Sequence, residues 1–279
     1  MPRPLPSVLV LLLAAGCKAP PEAPTELDDL SAYLFANWEA EEEGALEVGM
    51  YNLQQFFAGM DLTVGYADRS YQLTNLTPEE LVGVNPPEGT DPADCLGVGL
   101  VAGSAFSAEE HAVAIIQPDQ TAIEPNSRDK YDRIFLDPTD PSCFPTRDCM
   151  VLRTNNDLIK DNAFMTIPYE MIKDFRWVEL DIEGEPGSGE WGILARTWIE
   201  EQGVGESGAN TIDQSYSIDA FIPSADGDWA LYRYMALWSE SHGTTEDPDT
   251  IMGVTKFGIH QLFDETEKWL EDNLLEGSR

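Results

Sequence analysis

The second half of the chain alternates between apolar and polar residues in four successive segments, and this period of two constrains the fold more than any other feature. The segments are residues 175–182, 190–201, 211–222 and 229–240. Short stretches rich in Gly, Pro, Ser or Asp separate them, which is typical of hairpin turns. The pattern therefore predicts an antiparallel meander of at least four strands.

The turn before the third segment contains Gly203, Gly205 and Gly208, which match the G-x-G-x-x-G pattern of dinucleotide-binding loops. That fingerprint must follow a strand and open a helix, whereas the next segment here alternates like a strand. Ser207 resembles the nucleophile of a hydrolase elbow, but the elbow needs the same strand-to-helix step, and Ala209 replaces its second glycine. The sequence therefore predicts a plain turn here.

A long amphipathic helix is predicted at about residues 249–274, after the last strand. Because a helix rises about 1.5 Å per residue, it would be roughly 40 Å long, enough to cross a whole sheet. Its predicted buried stripe consists of Val254, Ile259, Leu262, Phe263, Thr266, Leu270 and Leu274.

The N-terminal part reads as helical. Apolar periods predict helices at about residues 25–41 and 45–57. Thr77 and Ser107 each begin a capping box, with a glutamate three residues later, and so predict two further short helices. We therefore expect a single α+β domain over residues 25–279, helical at 25–120, with the sheet and last helix at 121–279.

The order of N-terminal helices, antiparallel meander and long C-terminal helix resembles the helix-grip architecture of START-like proteins, over roughly residues 125–274. The resemblance implies that the last helix packs across the sheet, which wraps around it. It also implies an apolar ligand cavity, which that family often encloses between sheet and helix. The family has no universal catalytic residue, so the resemblance implies none here.

The N-terminus has the length and flanks of a secretory signal, and its apolar run at residues 8–15 is too short to span a bilayer of about 30 Å. The run leads into Leu-Ala-Ala-Gly-Cys17, which resembles the lipobox of bacterial lipoproteins, although Ala14 stands where a leucine is usual. The resemblance implies that residues 1–16 are removed and that Cys17 is lipidated on its sulfur and its new amine. The alternative is an ordinary secretory signal that has a cysteine near its end.

Residues 17–24 are polar and Pro-rich, which is typical of an extended tether. Several acyl chains would anchor the protein stably in a membrane, as one chain does not. Lys18 follows the cysteine, where an Asp is associated with inner-membrane retention in enteric bacteria. By analogy, the outer membrane of the cell envelope is favoured, on its periplasmic or surface face.

The strongly acidic charge balance argues against nucleic acid as a partner. The chain has 51 acidic and 16 basic residues, a net charge of −35, and nucleic acid needs Lys and Arg to neutralise its phosphates. The acids are spread along the whole chain, which favours solubility over cation binding as their role. Acidic loops occur at residues 137–140, 226–228 and 246–249, but none has EF-hand spacing. We therefore predict neither a metal site nor a cofactor.

Three cysteines remain besides the predicted anchor: Cys95, Cys143 and Cys149. Export to an oxidising compartment would permit one disulfide and leave one thiol over. Cys143 and Cys149 can close a short loop, and Cys95 can instead pair with either of them. The spacing matches no zinc pattern.

The three histidines, His111, His242 and His260, belong to no H-E-x-x-H motif. His260 lies beside the apolar stripe of the last helix and is expected at the boundary of its surface. A Ser-His-Asp triad stays open, because its members need not be close in sequence, but no nucleophile context supports one. We predict no catalytic residue.

Most tryptophans fall in the predicted sheet. Trp191 and Trp198 differ by an odd number and so point to opposite faces of a regular strand. Such rings either pack the core or line an apolar pocket. The candidates for a pocket are Trp177, Trp191, Trp198, Trp229, Trp238, Phe257 and Phe263.

Three functional hypotheses follow. The first is a non-catalytic binding module that holds an apolar small molecule or lipid between the sheet and the last helix, which requires a void there. The second is an envelope interaction protein with a filled core, which requires an exposed apolar patch. The third is a hydrolase, which requires a histidine within hydrogen-bond reach of a nucleophile or metal.

Overall fold

An antiparallel sheet of nine strands forms the centre of the protein, whose computed structural model describes residues 22–40, 44–162, 165–180, 189–243 and 247–275. The strand order is β1-β2-β9-β8-β6-β5-β4-β3, and the short β7 pairs with β8. The strands are β1 Ser70–Leu73, β2 Leu96–Ser104, β3 Tyr131–Asp137, β4 Val151–Asp161, β5 Thr166–Glu179, β6 Trp191–Trp198, β7 Gly203–Val204, β8 Thr211–Pro223 and β9 Leu231–His242.

Four α-helices cover the described part of this sheet. They are α1 Leu27–Ala36, α2 Ala45–Phe57, α3 Ala108–Ile115 and α4 Pro248–Leu270, which continues as a π-helical turn, Glu271–Leu275. No helix in the described ranges is both long and apolar enough to cross a membrane. The predicted α+β class, with an antiparallel sheet and a long C-terminal helix, is confirmed.

The predicted meander corresponds to β5, β6, β8 and β9, in which consecutive strands pair antiparallel. The turn prediction for the glycine-rich stretch is also confirmed. The Gly205 N–H donates to the Asn210 carbonyl at 2.9 Å, the Gly208 N–H donates to the Gly205 carbonyl at 2.8 Å, and β8 follows directly at Thr211. No helix opens there, so these glycines form no phosphate loop. The hairpin expected at 184–189 lies largely outside the described residues.

The N-terminal part is less helical than we expected. Helix α2 has the predicted bounds, and the Ser107 capping box opens α3 as predicted, with the Ser107 hydroxyl accepting from the Glu110 N–H at 3.3 Å. The Thr77 box opens only a 3-10 turn. However, β1 and β2 lie within residues 25–120, which we had assigned to helices. Strand β2, Leu-Gly-Val-Gly-Leu-Val-Ala-Gly-Ser, is apolar with three glycines and lacks the alternation that marks a half-buried strand.

The two faces of the sheet meet different helices. On one side, which we call the α1/α2 face, α1 and α2 pack against strand side chains in the largest apolar cluster. On the other side, the α4 face, α3 and α4 cover the sheet. Eight aromatic rings fill the α1/α2 face, each at most 5% exposed: Phe35, Trp38, Phe57, Trp198, Tyr216, Tyr232, Tyr234 and Trp238.

Candidate functional site

A cavity of about 790 Å³ lies between the α4 face of the sheet and the N-terminal part of α4. Its volume falls within the range of about 300–1,000 Å³ that is usual for small-molecule sites. It exists because α4 packs closely only over its C-terminal part, where Ile259, Leu262, Phe263, Thr266 and Leu270 are buried. The earlier turns, which include Ile251 and Val254, line the cavity instead of reaching the sheet.

The helical wall of the cavity is mostly apolar. Ile251, Val254, Phe257, Ile259 and Leu262 of α4 line it, together with the polar Thr250, Thr255 and Gln261. The predicted stripe of the last helix is thus confirmed over its C-terminal residues and becomes a cavity wall at Val254.

The sheet wall is mixed and carries a row of hydroxyl groups. On β8, Ser215 and Ser217 line the cavity, whereas Tyr216 and Ile218 between them pack in the α1/α2 cluster, because successive strand residues point to opposite faces. The hydroxyl residues of this wall are Thr197, Ser215, Ser217, Ser239 and Ser241. Met171, Ile212, Met235 and Leu237 add apolar surface between them.

One end of the cavity is deeply buried and the other is open. Lys173, Thr197 and Ser217 are 9%, 8% and 7% exposed, whereas His242 and Thr250 at the opposite end are exposed. We call the former the inner end and the latter the mouth.

Paired charges occupy the inner end. Arg233 donates two hydrogen bonds to the Asp219 carboxylate, at 3.0 and 3.3 Å, and Lys173 Nζ lies 3.6 Å from the same group. Burial would raise the pKa of Asp219, but Arg233 and Lys173 hold it below its ordinary value. Burial lowers the pKa of Lys173 against the opposing effect of Asp219. Lys173 also borders a second void, of about 30 Å³, which Asp219 and Arg233 line.

The structure brings one serine and one histidine together, but not as a catalytic triad. The Ser104 hydroxyl lies 2.8 Å from His111 Nε2, and the Glu267 carboxylate lies 3.5 Å from that same nitrogen. A triad needs the acid on the opposite ring nitrogen, and His111 Nδ1 is buried without a hydrogen-bond partner among the described residues. Ser104 is also buried, so its hydroxyl does not face a substrate. This geometry does not support the hydrolase hypothesis.

The other two histidines lie at the surface of the fold. His260 stacks on Tyr66, with ring centroids 4.8 Å apart, and lies 3.4 Å from Asp264, as expected for a boundary residue of α4. His242 Nε2 lies 3.1 Å from Asp213 and 3.5 Å from Glu240. These three are the one group in the described ranges whose ligand atoms are close enough to share a metal ion.

The acidic loops have local structural roles. Asp140 accepts from the Ser142 N–H and caps a 3-10 turn, and Asp247 accepts from the Thr250 N–H and caps α4. Asp226 accepts from the Gly59 N–H and the Ser224 hydroxyl, and these hydrogen bonds lower its pKa to about 2. Carboxylates at these positions satisfy free backbone donors, which accounts for them without a cation.

Cys143 and Cys149 form the disulfide, which confirms one of the pairings that the sequence left open. Cys95 is the free thiol, and it is buried in the α1/α2 cluster. Burial raises its pKa to about 12, so it is not a reactive nucleophile. Cys17 and the predicted signal peptide lie outside the described residues.

The aromatic pocket candidates are mostly elsewhere. Phe257 lines the cavity, and its ring centroid lies 6.2 Å from that of Tyr66. The structure places Trp198 and Trp238 in the filled α1/α2 cluster, with Trp229 packed against it. Trp177 and Trp191 pack with α3, and Phe263 packs between α4 and β2. The reason is that the large rings fill the packed parts of the fold, and smaller side chains leave the void.

No protein-family model matches the chain, and no curated protein matches it. Among solved structures, a STAR-related lipid transfer protein from Xanthomonas axonopodis is similar at a TM-score of 0.39 and 11% identity, over 66% of this chain and 89% of that one. The human StarD13 lipid transfer and protein localization domain is similar at a TM-score of 0.37 and 7% identity, over 77% of this chain and 92% of that one. A conserved protein from Geobacillus kaustophilus is similar at a TM-score of 0.34 and 11% identity, over 63% and 93%.

Proposed function

We propose that this protein is a non-catalytic binding protein that holds an apolar or amphipathic small molecule, such as a lipid, in the cavity between its sheet and α4. One observation carries the proposal: a void of about 790 Å³ is present where a carrier needs one. An interaction protein with an entirely filled core would lack that void. The serine–histidine contact does not compete with it, because it is buried and has no triad geometry.

We further propose that the protein is a bacterial lipoprotein, anchored through Cys17 on the periplasmic or surface side of the outer membrane. The lipobox-like run that ends at Cys17 supports this, together with the Pro-rich tether after it. A Cys17→Ser variant should leave the membrane fraction on cell fractionation. If it stays with the membranes like the wild type, the anchor is not at this cysteine.

The carrier proposal is tested by measuring the mass of the purified protein together with any molecule that it binds in the cell. A chain that begins at Lys18 retains every residue of the described fold, and it would be produced in the periplasm and measured under native and denaturing conditions. We expect an apolar molecule at about one per chain, because a site of this size encloses most of a single drug-sized ligand. Organic extraction would identify its class. The same spectrum counts the thiols, and one disulfide lowers the mass by two hydrogens.

A cavity-filling variant provides the matched control. Ser239→Trp places an indole into the void from the sheet wall, whereas Gln72→Trp adds the same bulk at an exposed position of the edge strand β1. We expect the first to lose the bound molecule and the second to keep it. A bare chain in the wild type, or equal loading of both variants, would contradict the carrier function and favour an interaction protein.

A further inference from the structure

We infer that the ligand of this cavity is an amphiphile whose anionic head, a carboxylate or phosphate, binds at the inner end against Lys173, Thr197 and Ser217. This inference rests on the proposed carrier function and specifies the ligand class. We call these three residues the polar row. Their geometry, their hydrogen bonding and the distribution of charge around the cavity each support the assignment.

The polar row is continuous across three strands. Lys173 of β5 is the direct partner of Thr197 of β6, which is in turn the direct partner of Ser217 of β8. Directly paired residues point to the same face and neighbouring strands lie about 4.8 Å apart, so the row extends over roughly 10 Å. All three residues line the cavity and are less than 10% exposed. They therefore present an ammonium and two hydroxyls to one ligand group.

Two members of the row have hydrogen-bonding capacity that the protein leaves unused. Thr197 Oγ1 is buried and has no hydrogen-bond partner among the described residues. Lys173 Nζ is 3.6 Å from Asp219, which is an ion-pair distance but too long for a hydrogen bond. Unsatisfied polar groups are costly inside a protein, so a ligand group that reaches Thr197 Oγ1 would gain a hydrogen bond that no described protein group makes.

The lining of the cavity contains more basic than acidic residues, whereas the whole chain is strongly acidic. Overall there are 51 acidic and 16 basic residues, yet the described lining contains three bases, Arg128, Lys160 and Lys173, and two acids, Glu124 and Asp161. A void in so acidic a protein that exposes so few carboxylates is suited to an anion. A cationic ligand would find few partners there.

The inner end also carries an excess of positive charge. The second void, which Lys173 borders, is lined by the cations Arg133 and Arg233 and by the carboxylates Glu124 and Asp219. With Lys173, this makes three cations against two anions. Asp219 is already held by Arg233 through two hydrogen bonds. An anionic head beside Lys173 would balance the cluster, and a charge-assisted hydrogen bond in such a dry site is strong.

The two walls determine how the rest of the ligand lies. From the polar row the void runs toward the mouth between the apolar wall of α4 and the hydroxyls of Ser215 and Ser239, which are direct partners on β8 and β9. A hydrocarbon chain or ring system would pack on α4. Its polar substituents would face the sheet, and its anionic head would enter first.

The test compares three probes that share one hydrocarbon chain: hexadecanoate, hexadecyl phosphate and 1-hexadecanol, each with a photoreactive diazirine in the chain. The full chain is held in phosphatidylcholine nanodiscs, and apparent Kd values come from the concentration dependence of cross-linking to α4. We expect the better of the two anions to bind about tenfold more tightly than the alcohol, because a charged hydrogen bond replaces a neutral one. Whichever anion binds more tightly indicates a carboxylate or a phosphate head.

The variants separate the polar row from the overall charge of the protein. Lys173→Met keeps the length of the side chain and should abolish the preference for the anion while leaving the affinity for the alcohol within about threefold. Lys256→Met removes one positive charge from α4 at a residue that does not line the cavity, and it should keep the preference. If Lys173→Met does not fold, Thr197→Val gives the second readout, since it removes one hydroxyl at nearly constant volume and should weaken the binding of the anion alone.

Each outcome bears on one claim. If all three probes bind equally to the wild type, or if Lys173→Met and Thr197→Val both keep the preference, the anionic head is refuted while the carrier function stands. If none of the probes cross-links to α4 in the wild type, and the native mass shows a bare chain, the carrier function itself fails.

Discussion

The two faces of the sheet are built from the same strands, yet one is filled and the other is partly hollow. On β8, Tyr216 and Ile218 pack against α1 and α2, while Ser215 and Ser217, the residues next to them in the chain, border the cavity. The aromatic rings of the α1/α2 face bury a large apolar area, which is the main favourable contribution to folding. The α1/α2 face can therefore supply most of the stability of the fold, and the α4 face can contain a cavity.

Two buried aspartates show the same contrast in electrostatic terms. Asp174 lies on the α1/α2 side, where burial raises its pKa to about 6 in spite of an ion pair with the partly exposed Arg153 at 2.8 Å. Asp219 lies on the α4 side, where Arg233 and Lys173 hold its pKa below the ordinary value in spite of burial. Both carboxylates are almost inaccessible. Near Asp174, burial outweighs the cations Arg153 and Arg196, and the Glu39 carboxylate also raises its pKa, whereas near Asp219 the cations outweigh burial.

The largest effect should come from truncating one leucine on each face. Leu194→Ala, in the filled cluster, should lower the free energy of unfolding by about 3–5 kcal/mol, because it opens a new void in packed surroundings. Leu237→Ala should cost only about 1 kcal/mol, because its side chain is partly exposed and already borders a void. Urea unfolding of both variants measures the difference. Equal losses would show that the α4 face is packed as tightly as the other.

A smaller effect should appear in the pH dependence of stability. The folded pKa of Asp174 is about 6 against an ordinary 3.8, so its contribution to stability is complete below pH 3.8 and is lost as the pH rises through 6. Asp174→Asn should remove this loss. The variant should therefore gain roughly 2–3 kcal/mol relative to the wild type between pH 4 and pH 7.

The measurement is the difference between wild-type and variant unfolding free energies at several pH values. Asp219 contributes in the opposite direction, because its lowered pKa gives stability that is present above its ordinary pKa and lost as the pH falls. A constant difference between wild type and Asp174→Asn from pH 4 to pH 7 would contradict the assignment of the raised pKa.

The smallest effect on stability should come from truncating Phe257, an exposed residue in the lining of the cavity. Phe257 is 47% exposed, so Phe257→Ala should change the free energy of unfolding by less than about 0.5 kcal/mol. The ring nevertheless lines the cavity, and its loss should speed up the dissociation of a bound molecule. Stopped-flow displacement measures that rate. A large loss of stability with unchanged release would show that the ring belongs to the core instead.

Local patterns predicted the elements whose signals are local. Helix α2 and the Ser107 cap were predicted from periodicity and side-chain capping, and β8 and β9 from a period that approaches two between turn signals. Strand β2 was missed because it lies between two other strands and is buried on both faces, so an apolar, glycine-rich run replaces the alternation. What makes it a strand is its pairing with β9, which is far away in the sequence.

The sequence predicted the position of the cavity but not the residues that line it. We expected a void between sheet and last helix, and the structure has one there. The predicted lining consists mainly of tryptophans, because large aromatic side chains are the most conspicuous candidates for an apolar pocket. A cavity instead forms where side chains are small. The sequence signal for the lining was Ser215 and Ser217, which flank Tyr216 on β8. A strand that alternates in this way carries large side chains on one face and small hydroxyl side chains on the other, and the second face can border a cavity.

The pairing of β2 with β9 also governs the order in which the protein can fold. Leu96 pairs with Ser239 and Ser104 pairs with Leu231, so these contacts close a loop that contains most of the other strands. Before β9 is synthesised, β1 and β2 can form no more than an isolated ribbon, which is marginal in water. Sheets dominated by such non-local contacts assemble slowly and expose their strand edges while they do so. The nascent chain must therefore stay incompletely folded, and protected from aggregation, until β9 has been made.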